Sequence, residues 1–197
     1  MAIVSIKNKT KSGSLLVGNT GFDPGGFESI QTVTVGTATT NIQFTSIPAT
    51  YTHLQVRFSA SILSANNAQM PVQLNGDTGA NYISHYFIGR GSGAILAGGL
   101  SAYPNAMYMA YWQPVSGSYS NPPLVGIMDI LDYANTSKYK TLRSLAGNDH
   151  NSTYNAIGLQ SGLWMSTTAI TSIKMTCPDA SNWGVGSSFA LYGIKAA

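Results

Sequence analysis

From Glu28 onward the chain alternates apolar and polar residues with a period of two. Val33 and Val35 interleave with Thr32 and Thr34, Ile42 and Phe44 follow, and Leu54, Val56 and Phe58 then alternate with His53, Gln55 and Arg57. Successive side chains of an extended chain point to opposite faces, so each run predicts a strand with one buried and one wetted face. The same reading predicts further strands at about 70–74, 82–88, 106–112, 124–132, 139–146, 154–160, 170–176 and 187–194. In the last of these, Phe189 and Leu191 share one face and Ala190, Tyr192 and Ile194 the other, which predicts a strand inserted between or against earlier ones. Turn signals separate the runs: Ile47-Pro48-Ala49, Asn75-Gly76-Asp77, Ser116-Gly117-Ser118, Asn121-Pro122-Pro123, Gly147-Asn148-Asp149 and Pro178-Asp179. The glycine run from Gly89 to Gly99 reads as a flexible exposed connection. No window has the periodicity of an amphipathic helix. About ten strands with such turns predict an all-β domain over residues 28–197, an antiparallel β-sandwich arranged as a jelly roll.

Residues 1–27 follow a different pattern. Lys7, Lys9 and Lys11 alternate, Leu15 and Leu16 form a short apolar patch, and glycine and proline then become too dense for a helix or a long strand. This composition predicts an extended N-terminal arm that docks on a partner or sister subunit through Ile3, Ile6, Leu15, Leu16 and Phe22, with Phe27 as a last anchor. The three lysines suit an acidic protein surface. They account for three of the ten basic residues, and the other seven match the seven acidic ones, so the chain lacks the broad basic face of a nucleic-acid binder.

Charged residues make up 9% of the chain, against about 25% in an ordinary soluble protein. Polarity comes instead from hydroxyls, amides and glycine. Such a surface costs little to desolvate, which suits repeated packing into an assembly and predicts a homo-oligomer. Cys177 is the single cysteine, so no intramolecular disulfide forms and no cysteine metal cage exists. The opening residues lack a signal peptide's apolar stretch and no run reaches the length of a membrane span, which predicts synthesis in a cytoplasm without membrane insertion.

Several stretches carry a resemblance. Ser5-Ile6-Lys7-Asn8-Lys9-Thr10-Lys11 with Ser14-Leu15-Leu16-Val17-Gly18-Asn19, Phe27-Glu28-Ser29-Ile30, Tyr51-Thr52-His53-Leu54-Gln55, Leu74-Asn75-Gly76-Asp77 with Asn81-Tyr82, Ile130-Leu131-Asp132-Tyr133-Ala134-Asn135-Thr136 and Ser188-Phe189-Ala190-Leu191-Tyr192-Gly193-Ile194-Lys195 resemble a family of tailed-phage virion structural proteins. The resemblance implies a non-enzymatic protein of the virion surface, either a short tail fibre that contacts a host receptor or a capsid decoration. It also implies assembly as a trimer, attachment to other virion proteins and no cofactor.

Candidate chemistry is sparse. Asp129 and Asp132 differ by three positions, which places them on opposite faces of a strand, and Asp132 reads better as opening a turn with Tyr133 and Asn135. His53 and His85 read as wetted strand residues and His150 as a loop residue, with no metal-ligand spacing among them. Asn75-Gly76-Asp77-Thr78-Gly79-Ala80-Asn81 has oxygen ligands at alternate positions, but it lacks the bidentate glutamate of an EF-hand, and Asn-Gly is foremost a tight turn. Tyr103, Tyr108, Tyr111, Trp112 and Tyr119 cluster among amides and hydroxyls, the mixture that binds sugars. A carbohydrate-binding module using this region, with a host surface glycan as ligand, is the alternative function.

Overall fold

The computed structural model describes residues 26–62, 68–103, 105–112, 123–149 and 155–195, with backbone alone at 68, 100–103 and 112. Among them run twelve strands: β1 Phe27–Thr34, β2 Asn41–Phe44, β3 His53–Ala60, β4 Ala68–Leu74, β5 Tyr82–Arg90, β6 Ile95–Tyr103, β7 Met107–Trp112, β8 Leu124–Leu131, β9 Lys140–Asn148, β10 Ala156–Trp164, β11 Ile173–Thr176 and β12 Ser188–Ile194. A 3-10 turn at Pro178–Ala180 is the one helical element described. All pairings are antiparallel. They form an eight-stranded sheet in the order β1-β12-β3-β8-β9-β10-β5-β6 and a four-stranded sheet in the order β2-β11-β4-β7. The fold is therefore an all-β antiparallel sandwich, as the period of two predicts.

The alternating residues meet between the sheets. Leu54, Val56 and Phe58 of β3, Leu191 and Phe189 of β12, and Met128 and Ile130 of β8 point inward with Ile42, Val72, Leu74, Met107 and Met109 of the small sheet. The predicted insertion of the last strand is borne out, because β12 lies between β1 and β3 over nearly its whole length. β1 carries a register shift between Ser29 and Gln31, the place where its alternation slips. Pro71 sits inside β4 beside a similar shift between Gln69 and Pro71, an irregularity that tolerates its missing N–H.

Three local readings change. The glycine run is not a loose connection: Gly93, at φ +82, makes a tight turn, and Gly98 and Gly99 belong to β6. A methyl group at Gly98 would lie 2.7 Å from the Tyr86 hydroxyl and one at Gly99 2.5 Å from the His85 ring, so glycine is what lets these side chains lie across the edge strand. Gly147 and Asn148 also extend β9 instead of turning, with Gly147 pressed so close to Ala156 that a side chain would sit 2.8 Å from its carbonyl. Phe27, expected as an arm anchor, opens β1; Arg57 lies 5.0 Å from its ring centroid, and Lys195 N–H donates to the Gly26 carbonyl. The sheet thus begins inside the expected 1–27 arm, while Ile3, Ile6, Lys7, Lys9, Lys11, Leu15, Leu16 and Phe22 lie outside the described residues.

The Asn-Gly turn behaves as predicted. Asn75 and Gly76 have φ of 51° and 68°, and Asp77 N–H donates to the Leu74 carbonyl at 2.9 Å. It links the two sheets instead of closing a hairpin, since β4 and β5 belong to different sheets. The Asp77 carboxylate accepts bonds from Gly79 N–H, the Asn81 amide and the Trp164 indole at 2.8, 2.9 and 2.7 Å. Three N–H donors converge on it, so the loop is built around this carboxylate as an acceptor of hydrogen bonds.

Candidate functional site

The large sheet turns its inner face to the small sheet and its other face to water, yet that outer face is apolar. Register aligns Arg57, Ile127, Leu145, Leu159, Phe87 and Ala97 across six strands from β3 to β6. A neighbouring row runs Ser59, Val125, Gly147, Ile157, Gly89 and Ile95. Leu145, Leu159, Phe87 and Ile157 are each more than half exposed, and Ile95 reaches 67%. Isolated exposed apolar residues are ordinary, but two adjacent rows across the middle of a sheet form a contiguous patch of the kind that marks an interaction surface. Strand composition explains it: β8 (LVGIMDIL) and β10 (AIGLQSGLW) carry apolar residues at both parities, so each buries one set and exposes the other.

A third row on the same face is polar. Gln55, Asp129, Arg143, Ser161 and His85 follow one another across the strands. The Gln55 amide donates to Asp129 at 2.7 Å and Arg57 donates to the Gln55 carbonyl oxygen at 2.7 Å. Three shallow depressions mark the face. One of about 450 Å³ lies over Arg57, Val125, Ile127, Leu145 and Ile157. One of about 350 Å³ lies over His85, Phe87, Arg143 and Leu159. The third, about 420 Å³, is lined by Asp129, Leu131, Asp132, Lys138, Tyr139, Thr141 and Arg143.

This third depression corrects the expectation that Asp129 and Asp132 face apart. Strand parity ends at Leu131; Asp132 has φ 49° and opens a turn closed by Asn135 N–H on its carbonyl at 3.0 Å, so its side chain returns to the side of Asp129. The turn reading of Asp132, Tyr133 and Asn135 itself holds. The Asp132 carboxylate accepts a bond from the Lys138 ammonium, which holds its pKa below the ordinary value despite some desolvation. The Asp132 N–H donates to His53 Nδ1 at 3.0 Å, and the Asp132 carboxylate approaches the same ring nitrogen at 3.5 Å. Beneath the depression, Lys140 is wholly buried. Its ammonium donates to the carbonyls of Asn135, Lys138 and Thr167, and burial pushes its pKa down. A buried cation thus ties the β8–β9 turn to the loop after β10. Tyr139 stands 54% exposed at the rim.

The aromatic region expected to contact a glycan is arranged otherwise. Tyr111 is buried; its hydroxyl accepts a bond from Arg90, whose guanidinium lies 5.2 Å from the ring centroid, so it is not free to stack on a ligand. Tyr108 is half-buried in β7. Tyr103 and Trp112 end β6 and β7, with side chains outside the described part, and Tyr119 lies outside the described residues. His53 and His85 occupy β3 and β5, with β8, β9 and β10 between them, and His150 lies outside the described residues. Among the described residues no three His, Cys, Asp or Glu side chains come together as metal ligands, and no helix is long and apolar enough to cross a membrane.

The outer apolar rows escaped sequence reading, although the double apolar parity of β8 and β10 was the available signal. Compared with known proteins, this chain matches no protein-family model, no curated protein and no solved structure.

Proposed function

We propose that the chain is a non-enzymatic structural protein of a phage particle surface, a short tail fibre or a capsid decoration, mounted on other virion proteins by the residues that precede Gly26. The observation that carries this reading is the apolar outer face of the large sheet, which no other described residues cover and which calls for a protein surface against it. Strand order supports it further. The series β1-β12-β3-β8 facing β2-β11-β4-β7, with β5–β6 and β9–β10 as hairpins added beside it, reads as a jelly roll, a fold used in viral capsid proteins. The carboxylates also serve as structural acceptors: Asp77 for three N–H donors, Asp129 for Gln55 and Asp132 for Lys138. Mass spectrometry of purified particles, followed by gold-labelled antibody in electron microscopy, tests the proposal. Label on the tail or the head supports it and decides between the two places, and absence from particles overturns it.

A sugar-binding role has an observation of its own, at a different place from the Tyr103–Tyr119 region. Tyr139 presents an exposed aromatic face beside Asp129, Asp132 and Arg143 in one depression, combining a stacking surface with directional hydrogen-bonding groups. A glycan array with native protein and Tyr139→Ala tests it: the reading requires a retained glycan whose binding the substitution weakens at least about tenfold, roughly the loss of one stacking contact.

A further inference from the structure

We propose that the outer face of the large sheet is a self-association surface, on which a second copy of this chain packs about a two-fold axis lying in the interface and running along the strands between β9 and β10. This names the partner for the surface on which the proposed structural role rests. The area is sufficient. Seven apolar side chains of the face, each 41–67% exposed, leave on the order of 700 Å² of apolar surface in water, where a monomer's largest patch is about 300–600 Å² and each partner of a standard interface covers about 800 Å².

The pattern is also complementary to itself, as an isologous interface requires. The row Val125, Gly147, Ile157, Gly89 and Ile95 alternates large and absent side chains from one strand to the next. The proposed axis sets β9 over β10 of the second copy and β8 over its β5. Gly147 then receives the partner's Ile157, and Val125 fills the space over the partner's Gly89. In the second row Leu145 meets the partner's Leu159 and Ile127 meets the partner's Phe87. The polar row agrees: Asp129 comes opposite the partner's His85, and Arg143 opposite the partner's Ser161. Asp129 is kept from its own symmetry mate by three strand spacings, about 14 Å. An axis running along β9 itself would instead place Gly147 against itself and Arg143 against its own copy, leaving a void and a like-charge contact.

Sedimentation velocity of the full-length chain over a concentration series provides the first test. A reversible dimer is expected, and Leu145→Lys with Leu159→Lys should raise its dissociation constant at least about a hundredfold while leaving the melt cooperative, because both side chains are exposed. The register is tested separately with Ile127→Cys/Phe87→Cys and a bismaleimide whose span is about 8 Å. Within one chain these positions are three strand spacings apart, about 14 Å, beyond its reach, whereas across the interface they face each other at the roughly 10 Å separation of packed sheets. The double variant should therefore cross-link into a covalent pair, and either single variant should not. A monomer at about 100 μM overturns the proposal, whether the face is then covered by residues 1–25 or by another protein. An oligomer indifferent to the lysine pair overturns it too, and a trimer, the number the family resemblance implies, overturns the two-fold axis. Particle localisation is read independently, so failure of the pairing leaves the virion assignment standing, and the reverse also holds.

Discussion

Gly193 lies near the end of β12, one strand in from the edge of the large sheet, and the ring of Tyr51 rests directly on it. A methyl group there would lie 2.3, 2.4 and 2.5 Å from three ring carbons. Ordinary carbon contacts are about 3.5 Å, so Gly193→Ala obliges the ring to retreat by about 1 Å or swing away. Tyr51 is not free to do so without loss. Its hydroxyl donates to Glu28 at 3.0 Å, Glu28 is bridged to Lys195 at 2.6 Å, and the Lys195 ammonium stands 5.6 Å from the Tyr51 ring centroid. The hydrogen bond contributes about 1 kcal/mol, the cation–ring contact about 0.5 kcal/mol, and the part of the ring now buried about 1–2 kcal/mol. Replacing a strand glycine returns roughly 0.5–1 kcal/mol of backbone entropy. The net cost is about 1.5–3 kcal/mol, or a fall in Tm of about 3–12 °C for a domain of this size. Urea and thermal unfolding of native, Gly193→Ala, Tyr51→Ala and the double variant complete a cycle. With the ring gone the added methyl group has nothing to strike, so the double variant should be no less stable than Tyr51→Ala alone. Strictly additive effects, or a Gly193→Ala protein within about 0.5 kcal/mol of native, the range of an ordinary surface change, would show that the ring does not depend on the bare backbone.

Lys140→Met keeps the side chain's length but leaves three part-buried carbonyls without their charged donor, so the urea midpoint should drop by the equivalent of about 1.5–3 kcal/mol with an unchanged slope; a loss under about 0.5 kcal/mol refutes the tie. Asp77 has its pKa held below the ordinary 3.8, first by the Trp164 indole bond and then by Asn81 and Gly79 against an opposing desolvation, so its stabilisation is complete above the unfolded value and is lost as pH falls through the lower folded one. Acid titration followed by Trp164 fluorescence should show this component in native protein and not in Asp77→Asn, which should be less stable at neutral pH because an amide N–H₂ replaces an acceptor. Burial pushes the Cys177 thiol from 9.0 up to about 12 and Tyr82 from 10.0 up to about 12, so the folded state keeps both protons longer than the unfolded one and stability declines as pH rises from about 9. The thiol's share is on the order of 4 kcal/mol across that window; Cys177→Ala should flatten the decline between pH 9 and 10, and an identical alkaline profile in the two proteins excludes this origin.

Most strands were legible because burial on one face imposes alternation on the sequence, as Leu54, Val56 and Phe58 illustrate. β6 was not, because Gly98 and Gly99 carry no side chains and the reason they sit in a strand is the Tyr86 and His85 rings of a neighbouring strand, about a dozen residues away. Partition of the strands between sheets was equally hidden, since pairs such as Phe27 with Ile194 depend on segments at opposite ends of the domain. The outer face was hidden for a different reason: Ile127 and Leu145 are apolar at the parity opposite to the buried Met128 and Leu142, and alternation by itself does not announce a strand that is apolar on both faces. The stretches of the family resemblance that fall among the described residues form joints. Glu28, Tyr51, Gly193 and Lys195 meet at one corner; Asn75 clasps the backbone of Thr171 and Ser172; Tyr82 bonds to Leu74 and Asp77; and the Tyr133 hydroxyl donates to the Pro48 carbonyl. Residues that hold a scaffold closed speak for its shape and say little about what it touches, which is why the candidate surface had to be found on other residues.

The insertion of β12 between β1 and β3 has a consequence in time. The hairpins β5–β6 and β9–β10 join neighbours along the chain and can close early, but the slot between β1 and β3 is filled by a segment more distant in sequence than any other partner in the sheet. Closing so long a loop is slow, and until it happens β3 presents an open edge. An identical segment from another chain fits that slot equally well. Refolding at high concentration should therefore divert material into strand-exchanged dimers that dissociate only as fast as the domain unfolds, a population set by how the protein was folded and not by how it is stored.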